Sequence, residues 1–249
     1  MSDKPKFYDR INVYEFSCEL PGSGQEVAFK PVNTGQLKKL LTYEKETNLL
    51  IQEQALDDLI SSSVLTEDFN SDDLYLEDRF FLLVEMRKKT KGEVLEFTLT
   101  CPKCNSQSLN RVDLNSMPIK QLDKEADLTV DLVNDVKVHL RRVKRKHQKE
   151  IKPSFLKPNL SNLQITAEMQ TLFHACAIDK IETPDGVDEN INMTDKVYLV
   201  DNIPTSEYDK IREKIEEISF GLDLSYKVKC RACDFEQDTI VPVENNFFS

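Results

Sequence analysis

Four of the six cysteines form two Cys-x2-Cys pairs that lie far apart in the chain. One pair is Cys101 and Cys104, and the other is Cys230 and Cys233. Four thiolates in two such pairs are the ligand set of a structural zinc site. They predict a Zn²⁺ ion held by these four residues. Because four thiolates fill its tetrahedral coordination, the ion has no position left for a catalytic water molecule.

The residues around each pair predict a β-hairpin. Residues 94–100 alternate toward the first pair and 109–114 lead away from it, while 224–228 and 237–243 do the same for the second pair. Two such hairpins make a zinc ribbon, here split into residues 93–114 and 222–249. The alternative to a zinc ribbon is that the two cysteine pairs lie in two unrelated loops with free thiols. A redox role has less support, because neither pair has the strand-then-helix context of a thioredoxin-like motif.

The rest of the chain predicts an α+β protein built around this split ribbon. Residues 1–92 form an N-terminal region with a strand hairpin, which turns at Pro21-Gly22-Ser23-Gly24, and with helices. Residues 115–221 form a long mixed insertion, with a hairpin at 128–140 and helices that begin near Gln164 and Ser206. The lone Cys18 is expected in the core.

Composition limits the classes of function. The formal net charge is -11 and the isoelectric point is about 4.9, which disfavours general binding to nucleic acid or anionic membranes. There is no apolar run near the roughly 18 residues of a membrane span, and the polar start has no signal-peptide core behind it. We expect an intracellular protein, in which paired cysteines bind metal more often than they form disulfides.

One basic cluster stands out against this acidic background. It comprises Arg141, Arg142, Lys144 and Arg145, followed by Lys146 and Lys149. One interpretation is contact with nucleic acid, which would make the chain a zinc-ribbon nucleic-acid-binding or transcription-associated protein. The other is a solvated strand end that pairs with acidic groups of this protein or of a partner. The absence of interleaved aromatic residues favours the second interpretation.

No residue set predicts catalysis. His139, His147 and His174 lack metal-ligand spacing to one another, and His174 and Cys176 would point in different directions on a helix. Acidic pairs are too common in this chain to indicate acid-base chemistry. We expect a protein without catalytic residues.

The C-terminal residues Phe247 and Phe248 form an unusual tail. Two adjacent aromatic side chains are unfavourable to expose, so they either fold back on the core or dock on a partner. Both alternatives stay open on the sequence alone. Phe247, Phe248 and the four arginine and lysine residues at 141–145 are therefore candidate partner-binding residues.

The whole pattern resembles the baseplate hub assembly proteins of T-even-type contractile-tailed bacteriophages. The resemblance lies in the segment Phe29-Lys-Pro-Val-Asn-Thr-Gly-Gln-Leu-Lys-Lys-Leu-Leu41, the Cys-Pro-x-Cys knuckle, the second Cys-x2-Cys hairpin and the ending Val-Pro-Val-Glu-Asn-Asn-Phe-Phe. It implies a non-enzymatic chaperone or scaffold that binds hub proteins of the same virus in the cytoplasm of the infected bacterium. It also implies zinc ligation by the four paired cysteines. A permanent structural subunit of the baseplate is the alternative within the same family.

Overall fold

The computed structural model describes residues 14–43, 49–155, 161–241 and 247–248. The fold is mixed α+β, as the sequence predicts. The helices are α1 (Thr34–Leu41), α2 (Leu49–Ser63), α3 (Leu76–Lys91), α4 (Arg145–Gln148), α5 (Asn162–Ala177), α6 (Met193–Asn202) and α7 (Thr205–Glu217). The strands are β1 (Phe16–Glu19), β2 (Glu26–Phe29), β3 (Val94–Thr100), β4 (Gln107–Asp113), β5 (Ile119–Lys120), β6 (Thr129–Asp131), β7 (Lys137–Leu140), β8 (Ile178–Thr183), β9 (Gly186–Asp188), β10 (Gly221–Leu222), β11 (Ser225–Lys229) and β12 (Glu236–Ile240).

The described residues divide into two compact units. Unit 1 draws on Met1–Ser71, Arg79–Ile119 and Leu222–Ser249, and unit 2 draws on Asp72–Asp78 and Lys120–Gly221. The predicted division into 1–92, 93–114 plus 222–249, and 115–221 stays a prediction. Compactness alone does not show which segments fold independently.

In unit 1, the predicted N-terminal hairpin is hydrogen-bonded to the end of helix α2. The β1–β2 turn includes Gly24 at a φ of +70°, a conformation that glycine adopts without a steric penalty. The Lys30 N–H donates to the Ser63 carbonyl at 2.9 Å, which ties the end of the hairpin to the end of α2. Val27 and Phe29 are fully buried, so one side of β2 faces the core.

Helix α1 has Asn33 at its N-cap position, where asparagine is one of the favoured residue types. The Asn33 side chain accepts a hydrogen bond from the Gln36 N–H, and the Gln36 side chain accepts one from the Asn33 N–H. This reciprocal pair satisfies two N–H groups that the first turn leaves without helical partners. The helical spacing of Leu37, Leu40, Leu56 and Ile60 predicts one helix that starts near Gln36, but these residues belong to two helices, α1 and α2.

A buried ion-pair network joins α2 to α3 in unit 1. Arg79 Nη1 lies 2.9 Å from Glu53 Oε2, and Arg79 Nη2 lies 3.1 Å from Asp57 Oδ1. The Asp57 side chain is only 4% exposed, whereas that of its neighbour Asp58 is 42% exposed and pairs with Lys39 on the surface. Removing one partner of a buried pair leaves an uncompensated charge away from water.

We expect Asp57→Ala to lower the free energy of unfolding by about 3 kcal/mol, because it removes one of the two carboxylates that pair with the buried Arg79 guanidinium. The matched control is Asp58→Ala, which removes the same group one position along at an exposed site and should have a much smaller effect. Urea denaturation of the two variants measures the difference. Equal losses of stability would contradict a special role for the buried pair.

Unit 2 combines an antiparallel sheet with helices. Its strand order is β6-β7-β8-β9, and β6 and β7 form the hairpin that the sequence predicts at 128–140. Helix α5 packs against α6 and α7. Val138, Leu172, Ile178 and Ile211 are fully buried, and they come from both the sheet and the helices.

In unit 2, the structure decides between two alternatives for one stretch and corrects the prediction for another. Residues 197–200, which could be strand or helix by pattern, belong to helix α6, whose N-cap Asn192 accepts a hydrogen bond from the Asp195 N–H. The polar sequence of residues 187–196 predicts a loop, but β9 pairs with β8 across the turn before Gly186, and helix α6 begins at Met193. No helix among the described residues is long and apolar enough to cross a lipid bilayer.

Candidate metal centre

Each cysteine pair lies at the end of a β-hairpin of unit 1, as predicted. Strands β3 and β4 pair from Val94↔Asp113 to Thr100↔Gln107, and β11 and β12 pair from Ser225↔Ile240 to Lys229↔Glu236. Both hairpins are antiparallel. The rings of Phe97 and Tyr226 meet edge to face between the hairpins, with centroids 6.2 Å apart.

The two cysteine turns share one backbone arrangement. In the first, the Cys101 N–H donates to the Ser106 carbonyl, and the Asn105 N–H donates to the Cys101 carbonyl, both at 2.9 Å. In the second, the Cys230 N–H donates to the Phe235 carbonyl at 2.8 Å, and the Asp234 N–H donates to the Cys230 carbonyl at 3.0 Å. The turns are therefore equivalent, with Ser106 and Phe235 at matching positions.

The residue after each second cysteine adopts a left-handed backbone. Asn105 and Asp234 both have a φ of 56°. Among residues other than glycine, asparagine and aspartate tolerate this region best, because their short side chains can hydrogen-bond locally. This local requirement explains why both turns carry one of these two residue types.

The turns bring four sulfur atoms together. The Sγ atoms of Cys101 and Cys233 are 3.7 Å apart, as are those of Cys104 and Cys230, and all four lie within 4.8 Å of one another. A disulfide needs a distance of about 2.05 Å, so these are separate thiols. Four sulfurs about 2.3 Å from a central ion in a tetrahedron would lie about 3.8 Å apart. The spacing therefore fits a tetrahedral metal ion.

A serine hydroxyl lies beside two of these sulfurs. Ser106 Oγ is 3.1 Å from Cys104 Sγ and 3.3 Å from Cys230 Sγ. This hydroxyl lowers the pKa of Cys104 and, together with N–H groups of the second turn, lowers the pKa of Cys230 to about 6. Hydrogen bonds to the thiolate favour the charged form that binds metal.

The four thiols do not all ionise readily without a cation. The Phe235 N–H lowers the pKa of Cys233, but desolvation and hydrogen bonds with the other three cysteines outweigh it and raise that pKa to about 12. A divalent cation reverses this balance, because it stabilises each thiolate directly. The electrostatics of the cluster therefore match a site that closes around a cation.

We expect Asn105→Val to lower the free energy of unfolding by about 1 to 2 kcal/mol, because a β-branched residue is strained in the left-handed region. Asn105→Gly is the matched control and should be close to neutral, since glycine adopts this φ freely. Urea denaturation at a fixed zinc concentration measures both variants. If valine and glycine behaved alike, backbone strain would not be what selects asparagine here.

The basic cluster at 141–149 lies in unit 2, and its cations have partners within that unit. Arg141 lies 3.6 Å from both Glu150 and Asp179, and Arg142 donates to the Asp123 carbonyl. Lys144 lies over the Tyr75 ring, and Arg145, which is 3% exposed, donates to Gln148. Lys146 pairs with Asp73, and Lys149 pairs with Asp72. These contacts match the interpretation in which the cluster pairs with the protein's own groups. They also compete with the phosphate contacts that nucleic-acid binding would need.

The cluster is not a plain strand end. Residues 145–148 form the short helix α4, and the Lys144 N–H donates to His147 Nδ1 at its start. Residues 74–76 run beside it, where the Leu76 N–H donates to the Val143 carbonyl and the Arg145 N–H donates to the Leu74 carbonyl. This long-range pairing accounts for the difference from the sequence-based expectation.

The aromatic tail folds back within unit 1. Phe247 and Phe248 are 5% and 3% exposed, and their rings meet edge to face at 5.4 Å. Arg87 holds the tail: its Nε donates to the Phe247 carbonyl at 3.3 Å, and its guanidinium carbon lies 5.7 Å from the Phe247 ring centroid. Arg87 also donates to the carbonyls of Gly92 and Val94. Of the two alternatives for the tail, the structure has the folded-back one, and partner contact by these rings stays a prediction.

The three histidines have hydrogen-bond partners within unit 2. His139 Nε2 lies 3.0 Å from Glu182 Oε2, and His174 Nδ1 lies 2.7 Å from the Tyr208 hydroxyl. Burial lowers the pKa of His147 to about 4, so it adds no charge to the basic cluster at neutral pH. Burial also raises the pKa of Cys176 to about 12, which keeps this thiol protonated and unreactive.

Sequence reasoning missed Ser106 and Arg87. Ser106 follows Cys104 by two residues, and its position in a Cys-x2-Cys turn is the signal that could have identified it. Arg87 has no comparable signal. It lies in the last turns of α3, and its partners at 92, 94 and 247 become visible only in the fold.

Comparison with known proteins identified one family. A family model described as "T4 bacteriophage base plate protein" matches residues 12–249. This match spans both cysteine pairs and nearly the whole chain. No curated protein and no solved structure matches the chain.

Proposed function

The chain belongs to the T4 bacteriophage base plate protein family, and from this premise we propose that it is a non-enzymatic assembly factor for the central hub of a phage tail baseplate. It acts by binding other baseplate proteins of the same virus in the infected cell. The family match over residues 12–249 is the observation that carries this proposal. The pairing of the basic cluster with groups of unit 2 disfavours the nucleic-acid alternative, because the same cations would have to contact phosphate groups.

We further propose that the cysteine cluster holds one structural Zn²⁺ ion. Cys101, Cys104, Cys230 and Cys233 are the ligands, and the two hairpins are the halves of a split zinc ribbon. When bound, the ion cross-links the hairpins and has no open position for substrate. The sulfur spacing of 3.7 Å supports this assignment, because it is close to the edge of a zinc–thiolate tetrahedron.

We expect about one equivalent of zinc per chain in protein purified without added metal, measured by elemental analysis. Cys230→Ser should lose the metal and much of the stability, because structural zinc binding is linked to folding at the order of 10 kcal/mol. The matched control is Cys18→Ser, which changes a cysteine outside the cluster and should keep the metal.

Two results would reject the zinc assignment. One is less than a tenth of an equivalent in a normally folded wild-type chain. The other is a Cys230→Ser variant that keeps the wild-type metal content. If Cys230→Ser fails to fold, removing the metal from wild-type protein with a chelator, and following its loss of structure, tests the same linkage.

We expect the tagged chain, expressed from the phage during infection, to co-purify with hub proteins of the baseplate. It should be absent or substoichiometric in purified phage particles, because a transient factor leaves before the particle is complete. Quantitative mass spectrometry of both samples measures this. The control is an untagged phage carried through the same purification.

The alternative within the family is a permanent structural subunit, and the same measurement separates the two. Stoichiometric presence in purified particles would replace the assembly factor with a structural subunit. Co-purification with proteins outside the baseplate, and with no baseplate protein, would contradict both.

A further inference from the structure

The matching positions in the two cysteine turns hold different residues. In the second turn the position is occupied by Phe235, which offers no hydroxyl. In the first turn it is occupied by Ser106, whose Oγ lies 3.1 Å from Cys104 Sγ and 3.3 Å from Cys230 Sγ. One hydroxyl of the first hairpin therefore reaches a sulfur of each hairpin.

The four sulfurs differ in their exposure to solvent. Cys101 and Cys230 are buried and Cys233 is partly buried, whereas Cys104 is exposed. An exposed thiolate ligand is the one that water, acid or a chelator reaches first. In a metal site built from these four residues, Cys104 is therefore the ligand that is most easily lost.

A hydroxyl donor at this place has two physical effects. Four thiolates around a divalent cation carry a net charge of -2, and an O–H group that donates to a sulfur disperses part of that charge. The backbone of Ser106 is held by its hydrogen bond with Cys101, so its hydroxyl can also keep the ligand in the rotamer that binds the metal. Cys230 receives a second hydrogen bond from the Ala232 N–H at 3.4 Å, so it depends less on the hydroxyl than Cys104 does.

We propose that Ser106 is a positioning residue for the metal centre. Its hydroxyl donates to the thiolate of Cys104 or of Cys230, keeps the exposed Cys104 ligand in place and slows release of the metal. This inference rests on the proposed metal site, and it adds a residue outside the cysteines that sets the affinity of that site.

The test compares wild type with Ser106→Ala, Ser106→Thr and Ser108→Ala. Ser106→Thr keeps the hydroxyl. Ser108→Ala removes the same group two residues along, where Oγ accepts from Asn110 and does not contact the cluster. For each protein, competition with a chromophoric chelator gives the dissociation constant for Zn²⁺, and mixing the zinc-loaded protein with excess chelator gives the release rate.

We expect Ser106→Ala to weaken zinc binding and to speed zinc release by about tenfold. This is the lower end of the effect that removing a hydrogen-bond partner of a metal ligand usually has. For Ser106→Thr and Ser108→Ala, the zinc dissociation constant and the zinc release rate should both stay within about threefold of the wild-type values. Affinity and release rate unchanged in Ser106→Ala, or equal losses in Ser108→Ala, would overturn the proposal.

A spectroscopic measurement separates this role from a general loss of stability. In Co²⁺-loaded protein, the hydrogen bond lowers the energy of the sulfur lone pairs. Ser106→Ala should therefore shift the thiolate-to-cobalt charge-transfer band to longer wavelength, while Ser108→Ala leaves it in place. An unshifted band in Ser106→Ala would also overturn the proposal.

The two proposals fail in different ways. If wild-type protein binds neither Zn²⁺ nor Co²⁺, the metal site itself is wrong, and the role of Ser106 falls with it. If wild type binds one ion tightly and Ser106→Ala is indistinguishable from it, the metal site stands and only the role of Ser106 is rejected.

Discussion

The close approach of four cysteine sulfurs is the constraint that the two hairpins of unit 1 must meet. These sulfurs lie within 4.8 Å of one another, and they come from two hairpins that are distant in sequence. Like charges at this separation are strongly unfavourable unless a cation offsets them. The backbone turns place the sulfurs in advance, and the hydroxyl of Ser106 favours ionisation of two of them. In the proposed zinc site, binding of the ion would therefore stabilise the closed arrangement of the two hairpins.

This closure lets a long segment be inserted between the hairpins at little cost to unit 1. The Asp223 N–H donates to the Pro118 carbonyl at 2.9 Å, so the chain leaves and re-enters unit 1 at adjacent points. The entropic penalty of closing a loop grows only slowly with its length. The residues between these two points form most of unit 2, including its sheet and its helices α4 to α7.

What could be predicted from the sequence is what local chemistry determines. A Cys-x2-Cys spacing and alternating strands define each hairpin, and both hairpins were predicted correctly. The partners of the basic cluster could not be predicted in this way, because Asp72 and Asp73 lie more than 70 residues before Lys146 and Lys149. The direction of the tail was equally undetermined, since burial against the core and docking on a partner both remove aromatic surface from water.

The surfaces that first suggested function are therefore already engaged within their own units. A partner that used the Phe247 tail would first have to displace it from Arg87, whose guanidinium makes hydrogen bonds to three carbonyls. A partner that used the basic cluster would have to compete with carboxylates that already pair with it. Both routes reduce affinity by the free energy of the contacts that are broken. A hub protein bound in the proposed assembly role would therefore contact side chains that are exposed in this fold more readily than the tail or the basic cluster.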